Sequence, residues 1–338
     1  MERKLATVRR IAAIDPIPGA DKIEVATVDG WQVVVNKGDF TVNSLAILCE
    51  IDSWIPKEVA PFLCRSVKSF NGVEGERLRT IKLRGQLSQG LLLPLSCLEE
   101  ADGVKFTCWM PGDDVTAILR IQKYEKPLSP QLAGLAKGNF PSFLKKTDQE
   151  RIQNLTKEFE QWKSMGLTFE VTEKLDGSSM TVFFKDGVMG VCSRNLELIE
   201  DDNNTFWKVA KQAFPPGAIT DGANVVFQGE LIGPGIQGNP YNLTEHAMFL
   251  FDVADMDATY MDANFRYILY SAIQTKLDHV PTISTRTKLP NTIAEVLAMS
   301  DGISALANVP REGLVWKCEQ EPSISFKAIS NKWLLKNE

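Results

Sequence analysis

The first third of the chain is cut into short β-forming runs by glycine and proline, and that punctuation limits the fold more than any other feature. Val8-Arg9-Arg10-Ile11 leads to Pro16-Ile17-Pro18-Gly19, a run from Ile23 to Val28 follows, Asp29-Gly30 turns the chain, and Trp31-Gln32-Val33-Val34-Val35 continues. Leu45-Ala46-Ile47-Leu48 and the stretch from Arg79 to Leu91 extend the series. Short β segments at regular spacing with turn residues between them read as a small barrel.

A barrel of that kind does not use up 338 residues, so the length points to two domains, and 44% hydrophobic content lets each bury its own core. The start Met1-Glu2-Arg3-Lys4-Leu5 is not followed by an apolar signal core, and no stretch of about 18 apolar residues occurs. A soluble, intracellular, non-membrane protein is expected. Six cysteines without Cys-x-x-Cys pairs and only two histidines, His246 and His279, argue for reduced thiols and against zinc or a His/Cys-rich metal centre.

The chemistry concentrates further along, at Thr172-Glu173-Lys174-Leu175-Asp176-Gly177-Ser178-Ser179, where strand-like segments flank a lysine followed by Asp-Gly. An unprotonated lysine amine can attack phosphorus and hold the transferred group covalently. An ordinary lysine stays charged near neutral pH, so that reading requires further cations and a metal site elsewhere in the chain. Without them, Asp-Gly is simply a β-turn.

The companions follow in order: Ser193-Arg194-Asn195, Phe227-Gln228-Gly229-Glu230-Leu231-Ile232, Phe249-Leu250-Phe251-Asp252-Val253, Glu312-Gly313-Leu314-Val315 and Ser325-Phe326-Lys327. This ordered set resembles the covalent nucleotidyltransferase superfamily of polynucleotide ligases and mRNA capping enzymes. Its wording is most similar to ATP-dependent RNA ligases of the type 2 and type 5 groups, over roughly the last 190 residues.

The resemblance implies roles. Lys174 is the nucleophile, Glu230 and Glu312 hold Mg2+ or Mn2+ or the ribose, and Lys327 contacts the α-phosphate and lowers the pKa of Lys174. Arg194 meets the ribose or the nucleic-acid end, and Phe251, in preference to Phe249, stacks on adenine. Asp176 and Gly177 belong to the nucleotide-binding motif, and Glu173 is a lesser candidate for reading the adenine edge. Phosphoryl transfer needs countercharge and in-line positioning, which accounts for both lysines and carboxylates.

Each residue also has a plainer reading. Phe249 and Phe251 alternate like core residues of a strand, Ser193-Arg194-Asn195 fits a polar turn, and Glu312 fits a turn carboxylate. One departure stands out. Ligases of this kind commonly carry Lys-x-Lys in the last motif, and here Ser325 occupies the first lysine position. Lys317 or Lys332 could supply the second cation.

The run around Ala20-Asp21-Lys22 and Leu83-Arg84-Gly85 resembles the OB-fold tRNA-binding modules of phenylalanyl-tRNA synthetases, over about the first 100 residues. That implies a nucleic-acid surface, with Arg79, Lys82, Arg84 and Trp31 as candidates. Trp31 equally fits a core position. Tyr124–Gly134 reads as a linker, and Thr147 or Asp148 can cap a helix stretching toward Trp162. Lys145, Lys146 and Arg151 nearby could contact substrate phosphates or form a solvated basic turn. Thr292–Ser300 has amphipathic helical spacing, with Gly302 near its end.

The expectation is an α+β chain. An N-terminal OB-fold β-barrel (1–123) and a linker (124–140) precede a nucleotidyltransferase, ATP-grasp-like ligase domain of antiparallel sheets and helices (141–338). DNA ligases and capping enzymes carry their OB domain after the last motif, and the few residues after Lys327 leave no room for one, which favours the RNA-ligase branch. With a formal net charge of −6, nucleic-acid binding is expected to be local rather than driven by overall basicity. The implied substrate is RNA with 3′-hydroxyl and 5′-phosphate ends, recognised by end and helical form at a nick, by a monomer. A DNA ligase, a guanylyltransferase and a non-catalytic nucleic-acid-binding protein are the alternatives.

Overall fold

The computed structural model describes residues 3–102, 108–125, 134–272 and 277–337. Residues 126–133 of the expected linker lie outside this set. The chain divides into two compact units, one of residues 1–127, 153–156 and 334–338, the other of residues 128–152 and 157–333.

The first unit is built, among the described residues, from short antiparallel sheets. Ala6–Arg10, Leu45–Cys49 and Leu91–Leu93 form one sheet, and Ala13–Pro16, Ile23–Val28 and Trp31–Asn36 form another. In Trp31–Asn36 the side chains of Trp31, Val33 and Val35 are buried while Gln32 and Asn36 face solvent, the period of two that packs one face of a strand. Trp31 is fully buried, and its indole Nε1–H donates to Asn154 Oδ1 at 2.7 Å. It is therefore a core residue and not an exposed stacking platform. The Asn154 amide in turn donates to Glu50 at 2.7 Å, whose carboxylate also pairs with Arg3.

A hairpin of Thr80–Leu83 and Gln86–Gln89 closes through Arg84-Gly85, both at positive φ (50° and 84°), as a two-residue hairpin turn requires. Arg79, Lys82 and Arg84 are exposed on and beside it, with the apolar Ile81 and Leu83 also open to solvent.

The second unit holds two sheets. One has the order Ala136–Asn139, Leu196–Leu198, Val188–Cys192, Ser178–Lys185, Val225–Ile232, Ala247–Ala254, Asp278–His279. The helix Thr205–Ala213 packs Phe206, Trp207, Val209 and Ala210 into its core, and Asn204 caps it by accepting from the Phe206 N–H. The other sheet has the order Glu150–Arg151, Ser325–Ile329, Gly313–Cys318, Thr168–Lys174, Thr282–Lys288. Phe169, Trp316 and Phe326 stack on one face of it with Trp162, leaving the alternate residues for the opposite face.

The helix expected from Thr147 or Asp148 begins later, as Thr156–Ser164. Glu150 and Arg151 instead pair in parallel with Phe326 and Lys327, and a 3-10 turn, Ile152–Asn154, follows. Backbone groups committed to a sheet cannot also make helical bonds. The helix Ile293–Ser300 forms where its pattern places it, with a reciprocal cap in which Thr292 accepts from the Glu295 N–H and Glu295 from the Asn291 N–H.

A buried polar cluster lies in the same unit. Arg266, fully buried, pairs with Glu170 and donates from Nε to His279 Nε2 at 3.1 Å. Nε2 must therefore be the unprotonated nitrogen, and Nδ1–H donates to the Val280 carbonyl at 2.7 Å. The Tyr267 and Tyr270 rings pack against the imidazole, and Tyr267 also reaches Glu170. Burial, then the Arg266 charge, lowers the His279 pKa from 6.5 to about 4. The neutral ring thus contributes its stability in full above pH 6.5 and loses it as pH falls toward 4. The loss reaches about 3 kcal/mol. Urea unfolding at pH 7 and at pH 4.5 should show this loss in the parent protein and a smaller one in His279→Gln. Equal losses would sink the assignment.

Candidate active site

Lys174 ends the Thr168–Lys174 strand, and three residues, Leu175-Asp176-Gly177, carry the chain to Ser178–Lys185 in the other sheet. The crossing is fixed by packing at each residue. Leu175 is buried in a cluster with Ile232, Tyr241 and Phe249, and the Asp176 N–H donates to the Tyr241 hydroxyl at 2.7 Å. Gly177 lies so close to the Val225–Ile232 strand that a Cβ there would meet the Leu231 carbonyl oxygen and Ile232 Cγ2 at 2.5 Å. This glycine is required by close approach of backbones.

Cross-strand register places the other candidates. Lys174 pairs with Gly313 and Gly313 with Ile329, while Thr172 pairs with Val315 and Val315 with Lys327. Lys174 and Lys327 thus share a face on strands separated by Gly313–Cys318. Glu312, immediately before Gly313, accepts from Lys174 Nζ with both carboxylate oxygens at 2.7 Å. In the other sheet Glu230 lies opposite Ser179 on one side and Phe249 on the other.

The electrostatics run against one expectation. Burial pushes the Lys174 pKa down, but Glu312, then Glu230 and Asp176, outweigh it and hold the pKa above 10.5. In the unliganded protein Glu312 thus holds Lys174 toward its charged form. The sequence offers no distances between lysine and carboxylates, and here the carboxylates win. Burial, with Glu312 and Asp176 as like charges, raises the Glu230 carboxyl to about 8 despite the pull of Lys174 and Arg194. Glu312 and Glu230 beside one lysine offer oxygen donors of the kind that suits a hard divalent cation. Among the described residues no group of three or more His, Cys, Asp or Glu side chains is placed to hold a metal ion.

The remaining candidates spread around this centre. Arg194 is exposed and paired with Asp148 at 2.8 Å, in a small cleft shared with Lys146, Thr147, Ser179 and Thr181. Lys146 donates to Asn195 at 3.0 Å, and the Lys145 ammonium stands 4.9 Å from the centre of the Tyr260 ring. Phe249 is buried, whereas Phe251 is half-buried at the edge of the same cluster. Glu173 points to the face away from Lys174, where it is buried and accepts from the Ala305 N–H at 2.8 Å. Lys332 is exposed and paired with Asp301 at 3.2 Å, and is not brought to Lys174 by any strand pairing.

Two partners escaped the sequence reading. Asp148 reads in the sequence as a helix cap, and Tyr241 carries no local signal at all. Asp252, inside an otherwise apolar strand, did carry one, since a carboxylate in such a run must be paired when buried.

Comparison with known proteins supplies the family. An OB-fold domain model matches residues 5–95, and an RNA ligase model matches residues 167–333. An apo mutant of the Naegleria gruberi RNA ligase is 42% identical, with 100% of each chain covered and a TM-score of 0.91. The chain belongs to the RNA ligase family. A second Naegleria gruberi RNA ligase mutant, with AMP and Mn, is 43% identical over 99% of this chain and 100% of that one, with a TM-score of 0.91. A third, with ATP and Mn, is 43% identical over 98% of each chain, with a TM-score of 0.89. No curated protein matches. This RNA ligase is thus an α+β enzyme with its OB-fold ahead of its ligase domain, and no described helix is long and apolar enough to cross a membrane.

Proposed function

We propose that this RNA ligase is ATP-dependent, requires Mg2+ or Mn2+, and joins an RNA 3′-hydroxyl to a 5′-phosphate at nicks in a duplex, as a monomer. The observation that carries the reading is the Lys174 ammonium held by Glu312 beside Glu230, with Lys327 on the same sheet face.

Once Lys174 Nζ has lost its proton to solvent, its lone pair attacks the ATP α-phosphorus, the phosphoramidate N–P bond forms and the bond to the departing pyrophosphate breaks. An RNA 5′-phosphate oxygen then takes the AMP from Lys174, and an RNA 3′-hydroxyl finally displaces AMP to form the phosphodiester. A divalent cation held by Glu230 and Glu312 would neutralise the carboxylates that keep Lys174 protonated and would offset charge developing on the phosphates. Lys327 places a second positive charge on the sheet face from which Lys174 reacts. Phe251 offers a half-exposed ring for the adenine. Arg194, released from Asp148, is suited to the ribose or the RNA 5′-phosphate, and Lys145 and Lys146 are suited to flanking phosphates. Asp176 and Gly177 shape the turn under the nucleotide. Arg79, Lys82 and Arg84 of the hairpin are the barrel's candidates for the nucleic-acid backbone.

The test is labelling with α-labelled ATP, GTP and NAD in Mg2+ or Mn2+, followed by sealing of nicks with RNA or DNA on the 3′-hydroxyl side. Label from ATP alone and sealing of RNA 3′-hydroxyl ends are expected. Guanylate on the protein would mean capping chemistry, DNA-only sealing a DNA ligase, and no label a binding protein.

A further inference from the structure

Lys317, a candidate from the sequence for the cation missing at 325, has surroundings that give it other work. It lies directly across from Ser325 on one neighbouring strand and Glu170 on the other, on the face that carries Lys174 and Lys327. It is only 8% exposed. Its ammonium pairs with Asp252 of the opposing sheet, donates to the Phe251 carbonyl at 3.3 Å and stands 5.8 Å from the centre of the Tyr260 ring. An ammonium has three N–H donors, and Asp252 and the Phe251 carbonyl engage two of them, both on the opposing sheet, with the Tyr260 ring at the edge of cation–π range.

What this anchor holds is a β-bulge. Gln228 pairs with Asp252 but Gly229 pairs with Leu250, so Phe251 is the extra residue of its strand. An extra residue leaves the ladder, bends its strand and re-aims a side chain. Its carbonyl is the one Lys317 takes up. Its ring packs at the margin of the cluster containing Leu175, the neighbour of the nucleophile.

We propose that Lys317 and Asp252 form a positioning pair that fixes the Phe251 bulge and so sets the ring against which the nucleotide base stacks. The proposal rests on the reading of Phe251 as the base-stacking residue. Stability alone does not explain the pair. Two charges buried together do little better than well-packed apolar groups of similar volume, and burial already pulls the Lys317 pKa down. What a salt bridge adds is a directional hold on one carbonyl.

The experiment is steady-state sealing of nicked RNA by the full chain across an ATP titration, for Lys317→Met, Phe251→Ala, their combination, and the apolar pair Lys317→Met with Asp252→Leu. Lys317→Met should raise KM for ATP about tenfold while kcat changes less than about threefold, Phe251→Ala should do the same, and the combination should be no worse than Phe251→Ala alone. The apolar pair keeps the test open if Lys317→Met alone unfolds. It should fold, by thermal melt, and still show the raised KM. A folded apolar pair with normal KM, beside a Phe251→Ala variant with raised KM, would overturn the positioning role and leave the stacking reading intact. A loss in kcat alone would make Lys317 a phosphate-acting cation and also overturn it. Normal KM in Phe251→Ala would sink the stacking reading first, and the proposal with it.

Discussion

Lys174→Ala is expected to abolish covalent labelling by ATP and to lower ATP-dependent sealing by at least about 10³-fold, as loss of a nucleophile does elsewhere. Lys174→Arg should fail equally, because a guanidinium does not deprotonate and cannot offer a lone pair to phosphorus. Both variants should still seal RNA whose 5′ end already carries AMP, since the lysine has no bond to make in that last step. Gel assays with labelled ATP, and separately with adenylylated RNA, check this. Labelling of Lys174→Arg at the parent rate would remove Lys174 from the mechanism.

Glu312→Gln should cost almost as much, about 10²- to 10³-fold in labelling rate, the usual scale for losing one charge-stabilising group in a buried site. Glu312 has two tasks that a neutral amide performs poorly: it is the direct partner of the Lys174 ammonium, and it is half of the proposed metal-binding pair. Raising Mn2+ should recover part of the rate in Glu312→Gln and none in Lys174→Ala. Single-turnover labelling across a metal titration tests this, and a parent-like metal dependence would show that Glu312 is only a counterion.

These effects meet at one lysine, and how far the sequence exposed that lysine depends on what kind of fact is asked for. The two strands on either side of Lys174-Leu175-Asp176-Gly177 were legible because local backbone chemistry decides them, whereas the Asp-Gly pair proves to be a crossing between sheets and not a turn. So was the helix at 293–300, whose cap and period lie within ten residues. The order of the later motifs pointed to Glu230, Glu312 and Lys327 before any distance was known. The protonation of Lys174 was not legible, since it is set by carboxylates that approach through space. Trp31 could not be assigned to core or surface until Asn154 was found against its indole. The Lys317–Asp252 pair joins two sheets, and neither strand alone names its partner. The delayed helix start has the same origin, because the strand that captures Glu150 and Arg151 is the one that carries Lys327.

The strand bearing Lys174 has both of its neighbours later in the chain, at Thr282–Lys288 and Gly313–Cys318. The central strands of the other sheet, by contrast, pair largely with their neighbours in sequence. During synthesis that sheet can close early, but the nucleophile strand must wait, with both edges open, until the chain has emerged past Cys318, more than 140 residues after Lys174. The interval between the two events is when a nascent chain has most need of a chaperone.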